Sequence, residues 1–158
     1  MAPKKQRKPS PTEGLLARVQ AARADPESPD SRGVLTEALG SARNVVVAAA
    51  ARAIEEGERT QFVPALVAAF QRLLVDAATA DPMCKGKVAI ATALLGLDAD
   101  EPAVFLAGVR HRQPEPVYGG SLDTAAELRG ISALGLLRTR HPQASLLVAE
   151  CLADSEPA

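Results

Sequence analysis

Gly119, Gly120, Ser121, Leu122 and Asp123 put a serine into a glycine-rich turn, the setting in which a nucleophile elbow presents its hydroxyl. The second glycine of Gly-x-Ser-x-Gly is missing and Asp123 stands in its place, so the segment reads as a turn feeding a helix, with Ser121 or Asp123 accepting the first free N–H groups. Gly130 and Gly135 have the spacing of a phosphate loop, but Leu136-Leu137 replaces the Lys-Ser/Thr that such a loop requires. These glycines are better explained as points of close helix packing. The two histidines, His111 and His141, have no His, Cys or carboxylate three or four residues away on their own predicted helices, so no metal site is expected. Cys84 and Cys151 lie in apolar runs away from any Cys-x-x-Cys and read as buried, reduced thiols of a cytoplasmic protein. Chemistry on nucleobases needs stacking aromatics, and the chain has one Tyr and no Trp.

What remains is binding. Residues 113 to 122, Gln-Pro-Glu-Pro-Val-Tyr-Gly-Gly-Ser-Leu, form the longest predicted connection after residue 40, and their two prolines and two glycines indicate an ordered turn. Tyr118, the single tyrosine, is an amphipathic side chain suited to an interface; the competing reading is that it folds back to plug a gap between helices. Basic clusters occur at Arg110-His111-Arg112 and at 138 to 141, Arg-Thr-Arg-His, each in or just past the last turn of a predicted helix, where cations complement the helix dipole. An antiparallel chain path puts them on opposite edges. The candidate contact residues are Arg110, Arg112, Glu115 and Tyr118.

These residues must be positioned by a repeated helix pair. Ala53-Ile54, Ala93-Leu94 and Ala133-Leu134 recur at intervals of 40, each followed by a short polar break and a second apolar segment near a proline: Pro64, Pro102 and Pro142. First helices are predicted over 44–56, 82–97 and 123–138, and second helices over 60–75, 101–110 and 142–153. Two further helices, 12–24 and 31–40, make an irregular leading pair. Phe62, Leu66, Phe70 and Leu73 form one buried stripe. The 82–97 helix has two, Cys84-Val88-Ala91-Leu95 and Ile90-Leu94-Leu97, so it is expected to lie between neighbours.

From Leu35 onward the chain resembles a HEAT-type repeat array, in particular the bacterial HEAT-like class also seen in phycobilisome lyases. The resemblance rests on residues 35 to 44, Leu-Thr-Glu-Ala-Leu-Gly-Ser-Ala-Arg-Asn, followed by Ala-Ala-Ala-Ala-Arg-Ala-Ile at 48 to 54, and on Asp81-Pro82 and Asp123 at opening turns. It implies an all-α solenoid of about three helix pairs behind the irregular one. The Arg usual early in the first helix is matched only by Lys87, with Val47 and Glu127 at the aligned positions, so the resemblance does not by itself imply an interior Asp/Arg ladder. Residues 152 to 158 echo the Asp81-Pro82 opening, which reads as an incomplete cap or as a piece of a longer protein.

Composition agrees with this reading. Of 158 residues, 31 are Ala and 19 Leu, both strong helix formers, while aromatics make up only 3%. Residues 1–11 carry four positive charges and no negative one against a body of net −5, and are expected to be a disordered basic tail preceding a domain over 12–158. No apolar run reaches the length of a membrane span. The expected function is that of a non-enzymatic scaffold that binds a protein partner through its concave second-helix face and the 110 to 123 edge, without a cofactor. The alternatives are a lyase-like or regulatory subunit of an enzyme complex, and a nucleic-acid-associated scaffold that uses the basic tail.

Overall fold

The computed structural model describes residues 9–26 and 28–153. Most of them are helical: α1 (Pro11–Ala24), α2 (Ser31–Leu39), α3 (Asn44–Glu56), α4 (Val63–Leu74), the one-turn α5 (Ala77–Ala80), α6 (Lys85–Gly96), α7 (Pro102–Val109), α8 (Ala126–Arg138) and α9 (Ala144–Leu152). Short 3-10 turns, Thr60–Phe62 and Pro82–Cys84, lead into α4 and α6. The expectation of helices alone needs one correction. Part of the 113–122 connection is a hairpin, β1 (Pro114–Val117) paired antiparallel with β2 (Gly120–Asp123), so α8 begins at Ala126 and not at 123.

Local chemistry accounts for the helix starts. Ser10 Oγ accepts from the Glu13 N–H and Glu13 Oε2 accepts from the Ser10 N–H, a capping box, with Pro11 in the first turn. Pro11 therefore belongs to α1 and not to the expected tail, of which residues 1–8 lie outside the described residues, as do 154–158 at the other end. Pro64 and Pro102 occupy the first turns of α4 and α7.

The first helices pack side by side in chain order, α1 on α3, α3 on α6 and α6 on α8. The second helices lie against them, with α2 touching α1 and α3, α4 touching α6, and α7 and α9 touching α8. As its two stripes require, α6 has neighbours on both sides, α3 and α8. One core runs through the stack, with Leu35, Ile54, Leu66, Phe70, Leu94, Phe105, Leu128 and Leu136 among its buried side chains.

Three of the first helices end in the same way. Glu58, Asp98 and Arg140 take left-handed φ values of 50°, 55° and 52°. In each case that residue's N–H bonds three residues back, and the next N–H bonds five back: Arg59 to the Ile54 carbonyl, Ala99 to Leu94 and His141 to Leu136, at 3.0, 2.9 and 2.9 Å. This is the Schellman closure of a helix C-terminus. Residues 58 and 98 are 40 apart, whereas 98 and 140 are 42 apart. The sequence reading of 40 in both steps is thus corrected. Leu136, fully buried, is the counterpart of Ile54 and Leu94, whereas Leu134 is 57% exposed. Gly135, not Ala133, then follows Ala53 and Ala93 in register, and Phe105 of α7 lies against Gly135 where a Cβ would otherwise sit.

Candidate functional site

The 42-residue step also changes the reading of the charges. Asp81 and Lys87 are wholly buried, with Lys87 Nζ 3.0 Å from Asp81 Oδ2. Asp81 also accepts from the Gly86 and Lys87 N–H groups at 2.7 and 2.9 Å, and from Asn44 Nδ2 at 2.9 Å. The other reach of Lys87 Nζ is to the Leu73 carbonyl in the last turn of α4, at 3.2 Å. Forty-two residues on, Asp123 Oδ2 accepts from Arg129 Nη1 at 2.7 Å, and the same guanidinium nitrogen donates to the His111 carbonyl just past α7, at 3.2 Å. In both units an Asp before a first helix binds a cation one turn into it, and the cation ties down the end of the preceding second helix. The interior Asp–cation pairing that the alignment at 40 left open is present in these two units. Aligned at 40, Glu127 had taken the place that belongs to Arg129; in the leading unit Ser41 and Val47 hold the equivalent positions and make no such pair.

The hairpin is fastened to this layer through side chains. Gln113, buried, donates from Nε2 to the Asp81 carbonyl at 2.8 Å and to Glu115 Oε1 at 2.7 Å. Glu115 Oε1 also accepts from Thr124 Oγ1 at 2.6 Å and from the Met83 N–H at 2.7 Å. Met83 and Cys84 both have left-handed φ, 59° and 56°, in the turn that enters α6, so Glu115 holds a strained turn more than thirty residues away in sequence. Asp123 Oδ1 accepts from the Gln113 and Ala125 N–H groups at 2.9 and 3.1 Å; neither it nor Ser121 caps α8, whose first turn has no side-chain cap, so the expected capping role is corrected to one of closing the hairpin base. Burial pushes the Asp123 carboxyl upward, but those two N–H groups and Arg129 outweigh it and hold the group down at about 2. At Glu115, burial acts upward and is outweighed by Thr124, Gln113 and the Met83 N–H, leaving the carboxyl below its ordinary range.

The candidate contact residues separate into different roles. Tyr118 sits at the hairpin tip fully exposed, beside Gly119 at φ 87°, and does not plug a gap between helices. Val117 and Leu122 are also exposed on the hairpin. Arg112 is exposed and pairs with Asp123 at 3.3 Å. Arg110 leaves the hairpin and reaches Gln143 Oε1 at 3.2 Å, at the start of α9. Glu115 is half-buried and committed to three donors, so it anchors the edge and does not present a free carboxylate. Arg138 pairs with Asp98 at the turn between α6 and α7, at the opposite end of α8 from Arg112 and Arg129.

Burial pushes the Cys84 thiol up to about 12, leaving no thiolate at neutral pH. Cys151 is half-buried, and the two are not bridged. Burial lowers the His111 pKa, against a Gln113 hydrogen bond that raises it. No cluster of three or more His, Cys, Asp or Glu able to hold a metal ion occurs among the described residues, and none of their helices is long and apolar enough to cross a membrane. The Asp-x5-Lys/Arg spacing at 81/87 and 123/129 is the sequence signal from which the buried layer was readable.

No protein-family model matches the chain, and no curated protein or solved structure was found to be significantly similar to it.

Proposed function

We propose that the chain is a HEAT-like α-solenoid that serves as a non-enzymatic scaffold and binds a protein partner along the edge built by the α7 to α8 connection. The observation that carries this reading is the placement of Tyr118. A fully exposed tyrosine stands at the tip of a hairpin whose base is tied by Gln113, Glu115 and Asp123 to the buried layer. Holding a large side chain in water on a rigid support loses little entropy when a partner covers it, which is what a binding anchor needs. The side-by-side first helices, the threefold Schellman closure and the repeated Asp–cation pair support the solenoid reading. Arg112, paired with Asp123 at the hairpin base, and Arg110, turned to Gln143, carry positive charge along the same edge, and in this reading α2, α4, α7 and α9 form the concave face.

The test is affinity capture with the wild-type chain and with a Tyr118→Ala, Arg110→Ala double variant. Partners recovered by wild type and lost by the variant are the expected result. Retention of every partner by the variant would remove this edge as the binding site.

A further inference from the structure

The last helix pair carries a second surface, separate from the hairpin edge. Between α8 and α9 runs an apolar groove of about 400 Å³, bordered by Ile131 and Leu134 of α8 and by Val148 and Leu152 of α9, with Glu127 at one end. Leu134 is more than half exposed and Leu152 nearly fully so. The opposite end of the stack is different in kind. There α1 turns Arg18 and Arg23 outward into exposed ion pairs with Glu37 and Glu56. Stacking one copy head-to-tail on another would bring the apolar groove up to exposed alanines, Ala17, Ala21 and Ala24, bordered by these ion pairs, which gives its leucines little apolar side chain to bury against.

The α8 face is instead complementary to itself. Glu127, Ile131 and Leu134 of α8 line the groove, and Arg138, eleven residues after Glu127, holds the same helix face at the exposed C-terminal turn beyond it, its side chain drawn to Asp98. Laid antiparallel on a copy of itself, with the two-fold axis between residues 132 and 133, the helix sets Glu127 opposite Arg138 and Ile131 opposite Leu134, and each pairing occurs twice. That is the isologous pattern in which residue i meets j and j meets i. The antiparallel arrangement also sets each helix N-terminus, with its acidic residue, beside the basic C-terminus of the other. We propose that the α8–α9 face docks a second copy of this chain antiparallel, giving a closed dimer. In forming it, Arg138 exchanges its exposed bond to Asp98, 2.7 Å long in the single chain, for Glu127 of the other copy.

Sedimentation equilibrium of the full chain tests this. Wild type is expected to dimerise by mass action, and Leu134→Glu, a change at an exposed position, to be monomeric with an unchanged circular dichroism spectrum. Glu127→Arg and Arg138→Glu should each weaken the dimer by about tenfold or more, and the double exchange should restore it to within a few-fold of wild type. A wild-type chain that is monomeric at about 100 μM overturns the proposal. So does a dimer that survives Leu134→Glu, open-ended association beyond the dimer, or a double exchange that fails to restore pairing.

Discussion

Lys87 Nζ and Asp81 Oδ2 stand 3.0 Å apart with neither side chain in contact with water. The two ends of the pair are not equally supported. Asp81 keeps Asn44 and two backbone N–H groups if the ammonium is removed, whereas Lys87 keeps only the Leu73 carbonyl if the carboxylate is removed. Asp81→Ala is therefore expected to cost about 3–5 kcal/mol, as for other buried charges stripped of a partner, and Lys87→Met clearly less. Urea denaturation of the two variants measures the order, and a larger loss for Lys87→Met would show that the carboxylate's other donors do not stabilise it.

The second pair governs acid sensitivity. Asp123 titrates at about 2 in the folded chain, below its unfolded value near 4. A carboxylate with a depressed folded pKa contributes stability above the unfolded value and loses it as pH falls through the folded one, so Asp123 destabilises the chain progressively from about pH 4 to about pH 2. Glu115 acts in the same direction. Asp123→Asn should be less stable than wild type at neutral pH and should have a shallower decline over that window. Thermal midpoints measured against pH decide it; parallel curves for the two proteins would separate Asp123 from the acid response.

The hairpin depends on Glu115 and not on its tip. Glu115→Ala leaves Met83 N–H, Thr124 Oγ1 and one Gln113 donor without their shared acceptor, which should cost about 1–3 kcal/mol and raise hydrogen exchange over both 83–86 and 114–123. Tyr118→Ala should stay within about 0.5 kcal/mol of wild type, because the ring is in water. Exchange measured by mass spectrometry that rose only in the hairpin would break the proposed link to the Met83 turn.

Much of the helical framework was legible because its signals are local. Alanine-rich stripes, first-turn prolines and the two-sided 82–97 segment placed the helices to within a few residues and identified α6 as a helix between neighbours, a position α3 shares. The third unit was misaligned because Ala133-Leu134 repeats the Ala-Leu pair 40 residues after Ala93-Leu94, although Gly135-Leu136 fills the equivalent place. A two-residue shift is invisible to hydrophobic pattern when Leu134 and Leu136 are both leucine. It shows once Asp81/Lys87 and Asp123/Arg129 are compared. The strands were not legible at all. Pro114 and Pro116 cannot donate to a ladder and argue against β structure except at an edge. What stabilises the hairpin is a set of long-range side-chain bonds to residues 81 and 83, which no local window contains.

Backbone strain and close approach predict opposite effects for substitutions that involve glycine. Glu58 and Arg140 hold left-handed φ at Schellman positions where glycine is the common residue. Glu58→Gly removes a steric cost of about 1–2 kcal/mol and loses about 0.5–1 kcal/mol through the freer unfolded chain, so a net gain of up to about 1.5 kcal/mol is expected. Gly33, inside α2 with open space around its Cα, should gain about 0.5–1 kcal/mol on becoming alanine. Gly108 is the reverse case. Ser132 Oγ occupies the position a Cβ would need at the α7–α8 contact and Ser132 Cβ lies 3.1 Å from it, so Gly108→Ala must turn the hydroxyl aside and crowd the two helices, at a cost of about 1–3 kcal/mol despite alanine's better helix propensity. Chemical denaturation of the three single variants reads the signs directly. If Gly108→Ala were stabilising, propensity would outweigh packing at this contact, and α7 and α8 would lie farther apart than Gly108 and Ser132 indicate.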